Sequence, residues 1–543
     1  MLDVSHSLEE IGRIVGEATP ETFIFVSSKE KHPPKYEYIM VKSKELVDEE
    51  AIEVDVLAQV TGIVSSSSAY TEQLDFEALQ RIYQAGIEDA NVLCYAKTLG
   101  YLNELNGKKR ILLPRRAIYP GNPVYLAPDG LVEKFFSYSD EEGIHIGYLI
   151  SRPRIKVNLS INGFRRHVAI IAQTGAGKSY TLGVLLEELI KMGATSIVID
   201  PHADYVFLSR DKNGNRIDEI ADRIQVFRNP NSTGRYSEED IDNLKALTFK
   251  FADLSPEEVA KIAGVSPTYT RIIAAFRNAI EELRANEEKG DSYSLSDLIE
   301  TLKRLSEKES DKKANYIGAI NYAIRLMKIK VFGDKTTPIT EILKPFYTSI
   351  LDLSGLNNAS QDYIVSKVLE RVVEMRFKNE FLWPVFIFIE EAHRFIPKNG
   401  RTASAEIINT IASEGRKFGV FLTLVTQRPS KINPDSLSQC NSQIILRITN
   451  PVDQKAVREA SEQLGENLMR DLPGLNVGEA IIVGDLTRVP VMVKVRERIS
   501  REGGADIDLV KVLKCARDEI KKSIEIKKLR KESFMKNTMM SEV

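Results

Sequence analysis

Eight consecutive residues, Ala172-Gln-Thr-Gly-Ala-Gly-Lys-Ser179, carry the plainest chemistry in the chain. An apolar run, Val168 to Ile171, precedes them, and a helical pattern opens at Tyr180. A strand, a small-residue loop and a helix N-terminus in that order form a phosphate cradle. The N–H groups of Thr174, Gly175, Ala176 and Gly177 face the β- and γ-phosphates, Lys178 supplies a point charge, and the Ser179 hydroxyl ligates Mg²⁺; Tyr180 completes the nucleotide-binding set. Alanine at 172, where such loops commonly have a glycine, reads as a tolerated variant, because a methyl group adds little bulk.

Hydrolysis also needs a metal site, a group that orients water, a γ-phosphate sensor and a counter-charge for the transition state. The apolar run Val385 to Ile389 ends in Glu390-Glu391. At the C-terminal end of a buried strand, Glu390 would hold Mg²⁺ through water and Glu391 would polarise the attacking water. Two solvated glutamates starting a helix do not fit the apolar run before them. Gln427 closes the run from Val420 and is expected either to sense the γ-phosphate or to cap a strand end. Arg416, in Ser413-Glu-Gly-Arg-Lys-Phe-Gly419, suits bidentate phosphate contact. From a neighbouring subunit it would act as an arginine finger. Lys417, Arg165 and Arg166 are rivals for that role, and a surface salt bridge is the plain alternative for Arg416. Asp200 and Asp204, after Ser196-Ile-Val-Ile, would orient water or Mg²⁺, or simply cap a loop. His393 either positions Glu391 or packs. The guanine-specifying Asn-Lys-x-Asp pattern is absent, so ATP is the expected nucleotide.

These groups need a scaffold. With 543 residues the chain exceeds one hydrophobic core, and about two to four domains are expected. Hydrophobic content of 43% beside 28% charged residues describes a globular protein, and the net charge of −3 rules out a global basic field, so a nucleic-acid site must be local. Cys94, Cys440 and Cys515 are scattered without a metal or disulfide pattern, which fits a reducing cytoplasm. No apolar run nears the roughly 18 residues of a membrane span, and Met-Leu-Asp-Val-Ser-His is no signal peptide.

Residues 1–155 read as a small β-barrel of short strands, among them Ile11–Gly16, Glu21–Val26, Tyr36–Val41 and Val54–Val64, with a helix from Phe76 to Ala85. It serves either as a docking platform or as a plain structural barrel. From 156 strands alternate with helices, which predicts an α/β core with a parallel-rich sheet over 156–235 and 347–500. The intervening 236–346 reads as an inserted helical subdomain, with a capping box at Ser255-Pro-Glu-Glu258. Residues 501–543 form a polar helical extension. The order phosphate loop, strand-Glu-Glu, strand-Thr-Gln is that of a RecA-like P-loop ATPase.

Ala172–Ser179, Asp200-Pro-His-Ala-Asp-Tyr205, Phe386-Ile-Phe-Ile-Glu-Glu-Ala-His-Arg394, Ser413–Gly419 and Thr426-Gln-Arg-Pro-Ser430 together resemble the HerA family, the archaeal branch of the HerA/FtsK class of hexameric ATPases. The resemblance spans almost the whole chain. The glutamate pair matches HerA more closely than FtsK relatives, which usually have aspartate first. It implies a homo-hexameric translocase and helicase on double-stranded DNA, using ATP and Mg²⁺ in DNA end resection with a NurA-type nuclease. The N-terminal barrel, HAS-barrel-like, would be the nuclease-docking face.

A ring moving on duplex should place basic loops in its channel, contacting phosphates rather than bases. Arg394 to Thr402 is the first candidate, with Arg394, Lys398 and Arg401; Arg428-Pro-Ser-Lys-Ile-Asn433 is the second. The competing class is a polypeptide-handling or conjugation/secretion-type ring ATPase, for which an aromatic loop would be expected instead.

Overall fold

The computed structural model describes residues 8–47, 50–87, 90–105, 108–139, 141–232, 236–286, 292–461, 463–503 and 509–540. The N-terminal hexapeptide and parts of the C-terminal extension fall outside these.

The first strands are β1 (Glu10–Val15), β2 (Thr22–Ser27), β3 (Tyr38–Val47), β4 (Glu50–Ser66), β5 (Asn91–Leu105), β6 (Lys108–Leu112) and β7 (Pro123–Leu126). They pair in the order β2-β1-β7-β3-β4-β5-β6, and β2 also pairs with β5, so six strands close into a barrel with β6 outside. Closure leaves no open edge among the six. Phe23, Phe25, Ile39, Val41, Val56, Ala58, Val60 and Cys94 point inward, at alternate positions along their strands. Gly12 is required where β1 crosses β2, since a Cβ there would lie 2.3 Å from the Val26 carbonyl oxygen.

The second sheet has twelve strands: β8 (Gly143–Leu149), β9 (Lys156–Ser160), β10 (Val168–Ile171), β11 (Thr195–Asp200), β12 (Ile224–Arg228), β13 (Leu244–Ala246), β14 (Thr348–Asp352), β15 (Val385–Ile389), β16 (Val420–Thr426), β17 (Ser442–Leu446), β18 (Glu479–Val483) and β19 (Val491–Val495). Their order is β13-β12-β14-β11-β15-β16-β10-β17-β18-β19-β8-β9. Pairings from β13 to β17 are parallel, and the rest are antiparallel. This is the expected α/β, RecA-like core after a small barrel. Two boundaries differ from those read in the sequence. The hairpin β8–β9 belongs to the core sheet, because β8 pairs with β19, so a division at 155 cuts through it. Likewise β13 pairs with β12, so the stretch after 236 begins as sheet and turns helical at Pro256–Ile262.

Burial on both faces explains the unbroken apolar runs. Ile197 and Ile199 face one layer, which includes Phe276, Ile364 and Leu369. Val198 faces the other, where helix Lys178–Lys191 presents Leu182, Leu185, Leu186 and Leu189. Helices Pro256–Ile262, Thr270–Ala285, Leu295–Lys308 and Lys313–Leu326 extend the first layer. The Ser255–Glu258 capping box is formed in both directions.

At the N-terminal edge of this sheet the 3-10 turn Ile161–Arg166 ends at His167, whose φ is 59°. Its Nδ1 accepts the Leu422 N–H at 3.0 Å, fastening β10 to β16. Burial, with Arg416 adding repulsion, pushes the His167 pKa down to about 4. The unfolded chain protonates near 6.5, so it binds the extra proton as pH falls, and stability drops with it. From pH 7.5 to pH 5 this contributes a loss of about 2 kcal/mol. His167→Asn, which keeps an acceptor, should lose that much less over the same interval in denaturant unfolding; an identical pH dependence would rule the histidine out.

Candidate active site

The C-terminal ends of parallel strands form the crevice where α/β sheets bind ligands. Here β10, β11, β15 and β16 lie side by side in the order β11-β15-β16-β10. The phosphate loop, Asp200, Glu390-Glu391 and Gln427 therefore emerge at one edge. Gly175 and Gly177 hold φ of 75° and 100°, left-handed values that suit glycine. Nothing lies within 4 Å of a Cβ built on Gly175, so its backbone is open to an anion. The helix starts at Lys178, two residues before the expected Tyr180. Ala172 is buried and its N–H donates to the Thr426 carbonyl, so its methyl faces the core and not the phosphate path.

Lys178 is buried between the two carboxylates, with Nζ 2.6 Å from Glu390 Oε2 and 2.9 Å from Glu391 Oε1. Burial alone would lower its pKa, but the paired carboxylates outweigh it and raise the pKa above the ordinary lysine value. Glu391 sits at φ 50°, unusual for a residue with a side chain and costing on the order of 1 kcal/mol or more. Its Oε1 accepts from Gln427 Nε2 at 2.7 Å, and Gln427 Oε1 accepts from the Thr174 hydroxyl. His393 Nδ1 is 3.2 Å from both Glu391 Oε2 and Thr426 Oγ1. Burial opposes ionisation of Glu391, yet the Lys178 ammonium, with the Gln427 hydrogen bond, holds its pKa below the usual carboxylate value. His393 is shifted down, chiefly by burial. Glu391 is thus an ionised hydrogen-bond acceptor at neutral pH, able to orient a water molecule, although a carboxylate held below its ordinary value is a weak proton acceptor.

The Ser179 hydroxyl donates to Asp204 Oδ2 at 2.8 Å, and the Tyr205 hydroxyl donates to Glu390 Oε1 at 2.5 Å. Asp200 caps its own loop, accepting N–H groups from His202, Asp204 and Tyr205. Of the two aspartates, Asp204 is the one that reaches the phosphate loop. A cavity of about 650 Å³ runs from Gln173–Gly175, Gly177–Tyr180, Asp204 and Gln427 to Val477, Gly478, Lys494 and Glu502, room for a nucleotide. A larger cavity of about 1040 Å³ on the barrel lacks any such constellation. The donor set at the phosphate loop is all oxygen, a serine hydroxyl and carboxylates, which suits Mg²⁺ held jointly with phosphate. Ser179 and Glu390 would hold it, and the ion would supply charge neutralisation for the phosphates.

The basic candidates lie elsewhere. Arg416 and Lys417 end helix Ala403–Phe418, just before β16, and Arg165 and Arg166 precede β10. All four are exposed at the N-terminal edge of the sheet, opposite the phosphate loop. Arg166 pairs with Asp485 at 3.2 Å, while Arg416 has no ion pair among the described residues. Arg394 is turned back onto helix Asn358–Phe377, with its guanidinium 3.3 Å from Gln361 Oε1 and Asn358 Oδ1, because the turn after Glu391 carries it there. Lys398 and Arg401 are exposed. Sequence reasoning passed over Tyr205 and the buried Arg498. Tyr205 closes the motif that begins at Asp200, but a tyrosine beside a strand reads as core.

A family model described as "Helicase HerA, central domain" matches residues 144–372. The chain is 32% identical to "DNA double-strand break repair helicase HerA" of Pyrococcus furiosus, over 77% of this chain and 83% of that one. It is 30% identical to the protein so named from Sulfurisphaera tokodaii, over 95% and 99%. The chain belongs to the HerA family. Among solved structures, the plasmid coupling protein TrwB in complex with the non-hydrolysable ATP analogue ADPNP resembles it with a TM-score of 0.48 and 13% identity, covering 70% of this chain and 95% of that one.

This HerA chain is an ATP-hydrolysing P-loop enzyme, and the position of Glu391 in its site offers a test. Glu391→Gln should cut kcat about 10²–10⁴-fold while a fluorescent ATP analogue still binds. A variant keeping more than about a tenth of the wild-type rate would remove Glu391 from the role of base.

Proposed function

We propose that this HerA chain is an ATP- and Mg²⁺-driven homo-hexameric translocase and helicase on double-stranded DNA in the cytoplasm. It would act in double-strand break repair, with a NurA-type nuclease docked on the barrel face. The observation that carries the DNA reading is the joining of two loops. Pro397 and Ile432 form an antiparallel bridge, and the Lys398 N–H donates to the Lys431 carbonyl at 2.8 Å. One loop follows Glu390-Glu391, the other follows Gln427. The two loops that leave the hydrolytic strands therefore form one tip, with Lys398, Arg401, Arg428 and Lys431 exposed on it. Its flexible cations suit phosphates and carry no base readout. Phe395 is buried below the tip, so no aromatic is offered to a polypeptide, which disfavours an unfoldase or secretion motor. Among the described residues no helix is long and apolar enough to cross a membrane.

Duplex DNA should stimulate ATP turnover, and Lys398→Ala with Arg401→Ala and Lys431→Ala should weaken duplex binding. The same triple variant should flatten the salt dependence by about 0.9 in log–log slope for each phosphate left without its cation. Stimulation by an unfolded polypeptide but not by duplex would overturn the reading.

The N-terminal edge position of Arg416, Arg165 and Arg166 supports their action in the site of a neighbour, since their own phosphate loop is across the sheet. Arg416→Ala should lower ATP turnover on the order of 10³-fold. Mixed rings containing Glu391→Gln subunits that retain Arg416 should recover part of it, and failure to recover would return Arg416 to a role within its own subunit.

A further inference from the structure

The loop after β11 is built around a carboxylate that never reaches the cavity. Asp200 is fully buried and its oxygens accept three backbone N–H groups, from His202 at 3.2 Å, Asp204 at 3.1 Å and Tyr205 at 2.9 Å. With Ala203 at φ 62°, these bonds fix a tight turn that throws the next two side chains toward the phosphate loop. Asp204 takes the Ser179 hydroxyl, and Tyr205 gives its hydroxyl proton to Glu390. The rear of the turn is held too. The Gly503 N–H donates to the Asp204 carbonyl at 2.9 Å, so closely that a Cβ on Gly503 would lie 2.0 Å from the Ala203 carbonyl oxygen. The buried Arg498 guanidinium lies 5.7 Å from the centroid of the Tyr205 ring.

Glu390 therefore has its two oxygens divided. Oε1 faces Tyr205, and Oε2 faces Lys178 and, at 3.2 Å, the Glu391 N–H. Without the tyrosine hydroxyl, Oε1 would be a buried carboxylate oxygen with no donor beside it, a costly state that rotation toward Lys178 relieves. We propose that Tyr205 is a positioning residue for the divalent-cation site: it sets the plane of the Glu390 carboxylate while Asp204, from the same turn, sets the Ser179 hydroxyl. The two protein groups that would hold the cation are thus aligned by one loop, and Lys178 is kept available to phosphate. This rests on the reading of Ser179 and Glu390 as the Mg²⁺ partners.

The test uses the full chain and Tyr205→Phe, which removes one oxygen. Half-saturating Mg²⁺ for ATP turnover should rise about tenfold. The second readout is binding of a fluorescent ATP analogue in Mg²⁺ and in EDTA: the gain in affinity from Mg²⁺ should shrink about tenfold, while affinity in EDTA stays within about twofold of wild type. A tyrosine that merely fills space would lower stability and leave the Mg²⁺ gain intact, and that result overturns the proposal. In a Glu390→Ala background Tyr205→Phe should add nothing to the loss of the Mg²⁺ gain; multiplying losses would likewise overturn it. Should Tyr205→Phe not fold, Asp204→Ala, on the part-exposed side of the turn, removes the acceptor of the Ser179 hydroxyl and carries the same expectation, and an unchanged Mg²⁺ gain there overturns it. Wild-type protein with no Mg²⁺-dependent turnover would instead sink the ATPase reading itself.

Discussion

One buried cation between two buried anions governs this molecule. The side chains of Lys178, Glu390 and Glu391 are 6%, 2% and 7% exposed. An isolated charge so placed would cost several kcal/mol, and each of the three is tolerable only because the others are there. The cluster nevertheless has one negative charge in excess, and Asp204 lies beside it, its pKa raised by burial and by Glu390. A triphosphate entering that crevice brings more negative charge than Lys178 can balance. A divalent cation and further cationic side chains would compensate it; Lys494 lines the cavity, while Arg165, Arg166 and Arg416 stand at the other edge of the sheet.

That last point follows from topology. Parallel strands put all their C-terminal ends on one side, so residues just before β10 and β16 stand a full strand away from residues just after them. Arg165, Arg166 and Arg416 fall before their strands; the phosphate loop and Gln427 fall after the same strands. The register is direct, Val168 opposite Thr423 and Ile171 opposite Thr426. No side-chain rotation closes that gap, so these arginines can serve a phosphate only in the crevice of a second chain.

Much of this was legible in the sequence because doubly buried strands write unbroken apolar runs, and a carboxylate at the end of such a run has only one place to go. The phosphate loop, β11, β14, β15, β16 and the helices around Ala275 and Leu298 could be read that way. The barrel strand β5, which pairs with both β4 and β2, could not. Its alternation is broken by Gly100, at φ 129°, and its pairing with β4 slips near Leu57 and again near Val60. Strand β8 falls on the barrel side of a division at 155, because nothing local says which sheet a strand will join; only its long-range pairing, Val493 with Leu149, does. Arg394 looked like a channel residue by charge, but the fate of a guanidinium depends on where the backbone turns, and the left-handed Glu391 turns it toward helix Asn358–Phe377. Tyr205 was invisible for the opposite reason: its ring behaves as core, and only the position of its single oxygen gives it a role.

The same left-handed residue ties the site to the basic tip. Glu391 leaves β15 in a left-handed conformation, and its carboxylate is bonded to Gln427, which leaves β16. Each strand then continues into a loop, and the two loops are joined again at Pro397 and Ile432. Glu391, Gln427 and the basic tip thus form a closed circuit of two strand ends and two loops. A change at Gln427, for instance exchange of its Thr174 hydrogen bond for one to phosphate, cannot relax within one loop alone, because the bridge fixes the other end. The path between the two strand ends runs through the tip, where the Lys398 N–H donates to the Lys431 carbonyl. The Pro397–Ile432 bridge is therefore the point at which the two loops leaving the site are held as one.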